Sequence, residues 1–383
     1  MALYDTKLGY DDITIVPEVI SKITSRKQCF CYDNNFKLPI FTAPMDGVVD
    51  INSAEIFHRN GINTVIPRTE SFENRVGQLS KSIPNAFVSF SLTEVRQLLL
   101  RMGAFENCIK QLRYTLTNDN SFKCYICIDL ANGHMKSLLD TIKSIKEMYN
   151  DKVVIMSGNI ANPKTYENFN KVGCDFVRCN IGSGSRCTTS SNLGVHYPCF
   201  SLLNEIWKIK TKIKGTCKII ADGGIKGYRD VQKALLYADY VMIGGLFNRA
   251  IDSAGTPVYG RSYWNVFGKQ VLNPFKTLFT YGKVVNPKDY EKVLKRIKNG
   301  SLEVWKEFYG MSTKVAQAKM NPDAKLKTSE GMVKRQKVEY SIKQWVENET
   351  DYLKSAMSYT NSTNLEEYQN SNWVRIAYRA FND

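Results

Sequence analysis

Residues 175–190 read DFVRCNIGSGSRCTTS, and they hold the side chain best suited to chemistry in this chain, Cys187. An apolar run through Phe176, Val177 and Ile181 enters a turn built from Gly182, Ser183, Gly184 and Ser185, and the thiol follows, then Thr188 and Thr189. A β-prone segment feeding a Gly/Ser loop is how an α/β protein presents a reactive group at the C-terminal end of a strand. Glycines allow φ > 0 and a close backbone approach to a ligand. A thiol held there is a candidate nucleophile. Spacing alone does not separate this reading from an ordinary loop cysteine, since the chain has ten cysteines.

The elements that would position such a loop are legible in the rest of the chain. A length of 383 residues with 43% hydrophobic composition allows one large barrel or two ordinary domains. Apolar runs at 38–43, 62–66, 86–90, 124–130, 153–156, 175–180, 217–221 and 239–243 alternate with amphipathic stretches such as 51–59, 135–148, 163–172 and 228–237. Eight strands, each followed by a helix or crossover, predict a (β/α)8 TIM barrel. A doubly wound sheet would need a Gly-rich dinucleotide turn after the first strand, and there is none. The predicted strands end in Met45 and Asp46; Arg68; Ser89 and Ser91; Asp129, Asn132 and Gly133; Ser157 and Asn159; the Cys187 loop; Asp222, Gly223 and Gly224; and Gly244 and Gly245. On a barrel all of these face one mouth, and the last two glycine pairs predict a phosphate cradle. A single barrel domain over 1–383 is expected, with an excursion at 256–307, a polar, lysine-rich active-site flap at 321–340 and a C-terminal helical tail.

Composition narrows the partners. No apolar run approaches the roughly 18 residues that cross a membrane. The start, MALYDTKLGYDD, has no basic-then-apolar pattern, so no secretory signal is expected. Scattered cysteines fit a reducing cytoplasm. CYIC at 124–127 has zinc spacing, but it alternates inside an apolar strand with no second CxxC, so zinc is not expected. The formal charge of +15 comes from lysines densest between 269 and 345. Without an Arg-rich arm or a nucleic-acid motif, that basic surface predicts phosphate-bearing small molecules; neither nucleic acid nor a membrane is expected as partner.

Taken together, YDDITIVP at 10–17, PIFTAPMD at 39–46, GSGSRCTTS at 182–190, ADGGI at 221–225, MIGG at 242–245 and YGMS at 309–312 closely resemble the IMP dehydrogenase/GMP reductase family, in the same order over nearly the whole chain. Several features resemble its reductase branch: DLANG at 129–133, FYGMS at 308–312 and GVHYP at 194–198. Only about twenty residues separate Arg68 from the third strand, where the dehydrogenases carry a regulatory domain pair. No Arg-Tyr dipeptide occurs between 309 and 341, where dehydrogenases use one to activate water. Departures exist as well. APMD resembles the dehydrogenase form, Arg186 and Ser190 alter the cysteine loop, Lys327 replaces a usual flap arginine, and the excursion exceeds the family's connection. They leave the exact purine nucleotide open.

The resemblance implies NADPH-dependent reductive deamination of GMP to IMP, with Cys187, Thr189 and Glu330 as the catalytic set. It implies Ser185, Asp222, Gly223, Gly224, Gly244, Gly245, Met311, Ser312 and Gly331 around the nucleotide. Asp129, Asn132, Gly133 and Arg68 would lie along the cofactor, with Arg68 toward the 2′-phosphate. Carbonyls of Gly182, Gly184 and Cys187 would hold K⁺, and the assembly would be a homotetramer. The alternatives are an IMP dehydrogenase without regulatory domains, a related purine-nucleotide or flavin-dependent barrel oxidoreductase, and an inactive nucleotide-binding barrel.

Overall fold

A computed structural model describes residues 6–79, 83, 85–100, 123–184, 189–266, 269–320, 331–369 and 371–376. Its centre is a parallel sheet of eight strands: β1 (Ile40–Thr42), β2 (Val65–Ile66), β3 (Phe87–Phe90), β4 (Cys124–Asp129), β5 (Val153–Ile160), β6 (Phe176–Cys179), β7 (Lys218–Asp222) and β8 (Tyr240–Ile243). The strand order runs from β1 to β8 and back down to β2. A parallel bridge between Phe41 and Asn63 joins the two ends, with Thr42 N–H donating to Asn63 O at 2.9 Å and Asn63 N–H to Ile40 O at 3.0 Å. The predicted (β/α)8 barrel is therefore the fold.

Seven helices follow the first seven strands: α1 (Ile51–Arg59), α2 (Phe72–Leu79), α3 (Leu92–Leu100), α4 (Lys136–Tyr149), α5 (Thr165–Lys171), α6 (Cys199–Ile213) and α7 (Tyr228–Ala234). The eighth, α8 (Ile342–Tyr359), comes only after the excursion. Its start is set by Ser341, whose hydroxyl accepts from Gln344 N–H in a capping box.

Period-two alternation divides the strands between two cores. Ile40, Ile66, Val88, Ile126, Ile155, Val177, Ile219 and Val241 face the helices, whereas Phe41, Val65, Phe87, Cys127, Met156, Phe176, Ile220 and Met242 fill the barrel. Edge-to-face rings close the interior, Phe41 with Phe87 at 5.6 Å and Phe87 with Phe176 at 5.4 Å between centroids. The same alternation places Cys124 and Cys127 in different cores, so this pair cannot share a metal. Two residues beyond the interior layer, Cys127 is followed by Asp129, Phe176 by Arg178 and Ile220 by Asp222. The barrel pattern thus delivers three charged groups to one level.

The excursion is more ordered than its composition suggests. β9 (Val258–Val266), β10 (Lys269–Leu272), β11 (Leu302–Tyr309) and β12 (Val333–Lys337) form an antiparallel sheet in the order β10-β9-β11-β12. The segments 256–307 and 321–340, read apart in the sequence, therefore share this sheet; residues 321–330 lie outside the described residues. Ile251, Val285, Val293, Leu302, Val304 and Val338 form its own core. Lys306 is buried beneath it and donates to Ala250 O, Ser253 O and Ser253 Oγ at 2.7–3.0 Å. Burial pulls its ammonium down to about 7, although Asp252 and Asp50 oppose the shift. In the tail, Trp373–Arg375 pairs antiparallel with Ile13–Ile15 of the same chain, and Trp373 packs on Phe200 at 4.8 Å.

Glu349 on α8 is fully buried; Oε1 accepts from Gln232 Nε2 at 3.1 Å, while Glu349 Oε2 and Gln232 Oε1 have no partner. Burial pushes this carboxyl well above its usual range, and Gln232 offsets only part of the shift. The unfolded chain ionises near the ordinary value and the folded chain resists doing so. Stability therefore drains away as pH rises from the unfolded value toward the raised folded one. Glu349→Gln, which can exchange two hydrogen bonds with Gln232, is expected to gain about 1–3 kcal/mol over the parent at mildly alkaline pH and almost nothing in acid. Urea unfolding of both proteins across that range checks this; parallel stability curves would refute it.

Candidate active site

The C-terminal mouth of the barrel encloses a cavity of about 330 Å³. Its floor is the buried guanidinium of Arg178. Nε and Nη2 donate to Asp222 Oδ2 at 3.0 and 2.8 Å, and Nη1 donates to Asp129 Oδ1 at 2.5 Å. Asn159 adds a bond from Nδ2 to the same Asp222 oxygen at 2.6 Å and a second to Asn180 O at 2.9 Å. One cation thus braces β4, β6 and β7, and Asn159 on β5 completes the ring. Burial works against the charge on Arg178, but Asp222 and Asp129 outweigh it and hold its pKa above the ordinary value. The Cys127 thiol below is pushed up to about 12 by burial. It is an inert packing group that accepts weakly from Arg178 at 3.8 Å.

Above this floor the two glycine pairs meet. Gly223 and Gly224 have φ of +85° and +78°, a backbone that other residues adopt only with strain. A Cβ at Gly224 would stand 3.1 Å from Cys199 Sγ, and one at Gly223 3.0 Å from Ser183 Oγ. Gly244 and Gly245 lead into the short turn Gly245–Asn248 on the adjacent strand end. Backbone N–H groups in such a concavity, with no Cβ to crowd them, suit an anion such as a phosphate.

Of the site residues expected from the sequence, Arg68, Asp129, Gly182, Gly184, Thr189, Asp222, Gly223, Gly224, Gly244, Gly245, Met311 and Ser312 all line this one cavity. Asn132, Gly133 and Gly331 do not. Asn132 Oδ1 accepts from His134 N–H at 3.0 Å. Gly133 is pressed onto Asn159, whose carbonyl oxygen would lie 2.8 Å from an added Cβ, so its place is steric. Ser185, Cys187 and Glu330 lie outside the described residues. Arg68 donates to Asp129 O at 3.4 Å and stands 4.0 Å from Glu94 Oε2, which keeps its guanidinium at the cavity wall on the Asp129 side. Gly182 O accepts from Ser190 Oγ at 2.9 Å.

Sequence reading passed over Arg178 and gave Asn159 and Asn180 no role. The available signal was a charged residue at an inward position of a buried strand, two beyond Phe176. A second network also escaped notice. Asp46 Oδ2, at the end of β1, accepts from Tyr309 Oη at 2.7 Å and Lys319 Nζ at 2.6 Å, and Lys319 reaches Tyr309 at 2.7 Å. This ties the helix Lys314–Met320, which leads toward residues 321–330, to the barrel rim.

Arg178→Met leaves two partly buried carboxylates, 13% exposed, without their cation and is expected to cost about 3 kcal/mol. Adding Asp129→Asn and Asp222→Asn should recover much of that loss. Denaturant midpoints of the single and triple variants test this, and a triple variant no better than the single would mean the guanidinium acts only by packing.

Residues 7–300 match the IMP dehydrogenase / GMP reductase domain. The chain is 29% identical over 269 residues to the GMP reductase of Buchnera aphidicola subsp. Schizaphis graminum, covering 67% of this chain and 73% of that protein. To the GMP reductase of Shewanella pealeana it is 30% identical over 307 residues, 71% and 84% of the two chains. To that of Caenorhabditis elegans it is 32% identical over 219 residues, 57% and 58%. Fold, cavity and these likenesses agree, and the chain belongs to the IMP dehydrogenase/GMP reductase family.

Proposed function

We propose that this chain is a GMP reductase, converting GMP to IMP and ammonia at the expense of NADPH. The observation that carries the reading is the convergence of Asp222, two glycine pairs, Thr189 and Met311 on one cavity, in a chain whose relatives bear that name. Asp222, already bound to Arg178 and Asn159 through Oδ2, keeps Oδ1 for the ribose hydroxyls. The glycine pairs take the 5′-phosphate. Met311 and Ser312, backed by the bond from Gln317 Nε2 to Met311 O at 2.9 Å, border the base, and Gly331 would meet its edge.

Cys187, as thiolate, would attack C2 of the purine, and ammonia would leave once protonated, giving a thioimidate. Thr189 and Glu330 would deliver that proton. Breaking the C–S bond after reduction at C2 returns the thiolate and yields IMP. The Asp129 side of the cavity fits the cofactor. It offers the Asp129 carboxylate and the Arg68 guanidinium at the cavity wall. NADPH, when bound, supplies the hydride. Arg68 would favour its 2′-phosphate. For K⁺ the described loop offers Gly182 O, which also accepts from the Ser190 hydroxyl, and Gly184 O. No step depends on that ion. A homotetramer in the cytoplasm completes the proposal. APMD at 43–46 favours the dehydrogenase as second reading.

Loss of NADPH absorbance on adding GMP, silent in Cys187→Ala, is the expected result. NADH formed from IMP and NAD⁺ would instead assign the chain to dehydrogenation. Thr189→Ala and Glu330→Gln are expected to lower kcat about 10²-fold or more with little change in KM, as general acid–base groups do. A rise in KM alone would make them binding residues.

A further inference from the structure

The β9–β10 hairpin and the helix after it, Pro274–Thr280, expose apolar side chains as a group. Phe275, Leu278 and Phe279, at helical spacing i, i+3 and i+4, are 71%, 78% and 68% exposed. Trp264, Val271, Tyr281 and Val284 are exposed beside them, and Trp264 stands opposite Val271 in the hairpin register. A helix ordinarily turns such a face inward, and a contiguous patch of this kind marks a contact surface.

Charge identifies the contact. Between Asp252 and Asp289 the chain has no acidic residue, yet it has Arg261, Lys269, Lys276, Lys283 and Lys288. Lys269, Lys276 and Lys283 are exposed within the apolar group itself. A second copy of this surface would meet it with like charge. Nucleic acid would leave the aliphatic members, Leu278, Val271 and Val284, without a partner, because only rings stack on bases. Aromatic and aliphatic side chains edged by lysines suit the boundary between headgroups and acyl chains, where the apolar groups insert and the lysines meet anionic lipid. We propose that this surface docks the enzyme on anionic membranes. The expectation of no membrane partner rested on the lack of a spanning run. Among the described residues no helix is long and apolar enough to cross, and an element lying in the interface does not need to be.

The test is cosedimentation of the full chain with vesicles of phosphatidylcholine alone and of phosphatidylcholine mixed equally with phosphatidylserine, at low and high salt. Binding to the mixed vesicles about tenfold tighter than to the neutral ones, weakened by salt, is expected. Phe275→Ser/Leu278→Ser/Phe279→Ser should abolish binding to both. Lys269→Glu/Lys276→Glu/Lys283→Glu should remove the preference for anionic lipid. All variants should keep the parent's thermal midpoint and turnover. The proposal is overturned if the parent ignores mixed vesicles or if the serine variant binds as the parent does. It also fails if, without lipid, the parent self-associates or binds RNA through this surface while vesicles stay bare.

Discussion

A buried arginine between two partly buried carboxylates is the constraint around which the barrel's upper layer is arranged. Taking Arg178 out of water and Asp129 and Asp222 partly out of it is costly, and the pairing repays that cost only while the geometry holds. Three strands must therefore keep their relative heights, because a shift of one residue in β4, β6 or β7 would turn its charge out of the barrel. The cavity floor is rigid as a consequence. Asp222 is presented with one oxygen committed and the other unclaimed by any of these side chains, the arrangement a binding carboxylate needs.

Below that layer the interior is hydrocarbon and aromatic; above it, glycine and polar loops. The division follows from one rule applied on eight strands, with side chains alternating between the helix-facing core and the barrel axis. Rings crowd the lower end, and their bulk keeps water from reaching the charged layer from beneath. At that mouth the described residues bring together polar strand ends and the glycine pairs of β7 and β8.

That rule is also why much of the fold was readable in advance. The eight runs, the glycine pairs and the cavity-lining strand ends followed from period and turn chemistry. Three helices, α2, α3 and α6, went unmentioned in the sequence reading although the barrel required them. Arg178 was missed because the surrounding run reads as apolar, and only knowledge of which face points inward makes its charge conspicuous. Barrel closure through Asn63 is a single bridge and has no sequence pattern. The inserted sheet was invisible for a different reason. Its β11–β12 pairing joins segments separated by a helix and residues 321–330, and its strands carry lysine and aromatic residues in place of clean alternation. Gly133 and Asn132, expected along the cofactor, lie outside the cavity lining, where a steric and a local hydrogen-bonding need act on them.

The point where the inserted sheet joins the barrel has a consequence for how the chain reaches this fold. Ala250 and Tyr340 form a parallel bridge, Ile251 N–H donates to Tyr340 O at 2.8 Å, and Arg249 pairs with Glu339. For the barrel, the roughly hundred residues between β8 and α8 thus count as a loop already closed at its base, and closure entropy grows only logarithmically with length in any case. The insert can lengthen, shorten or change its surface while α8 still finds its groove. A catalytic barrel can in this way acquire a new address without renegotiating its own folding.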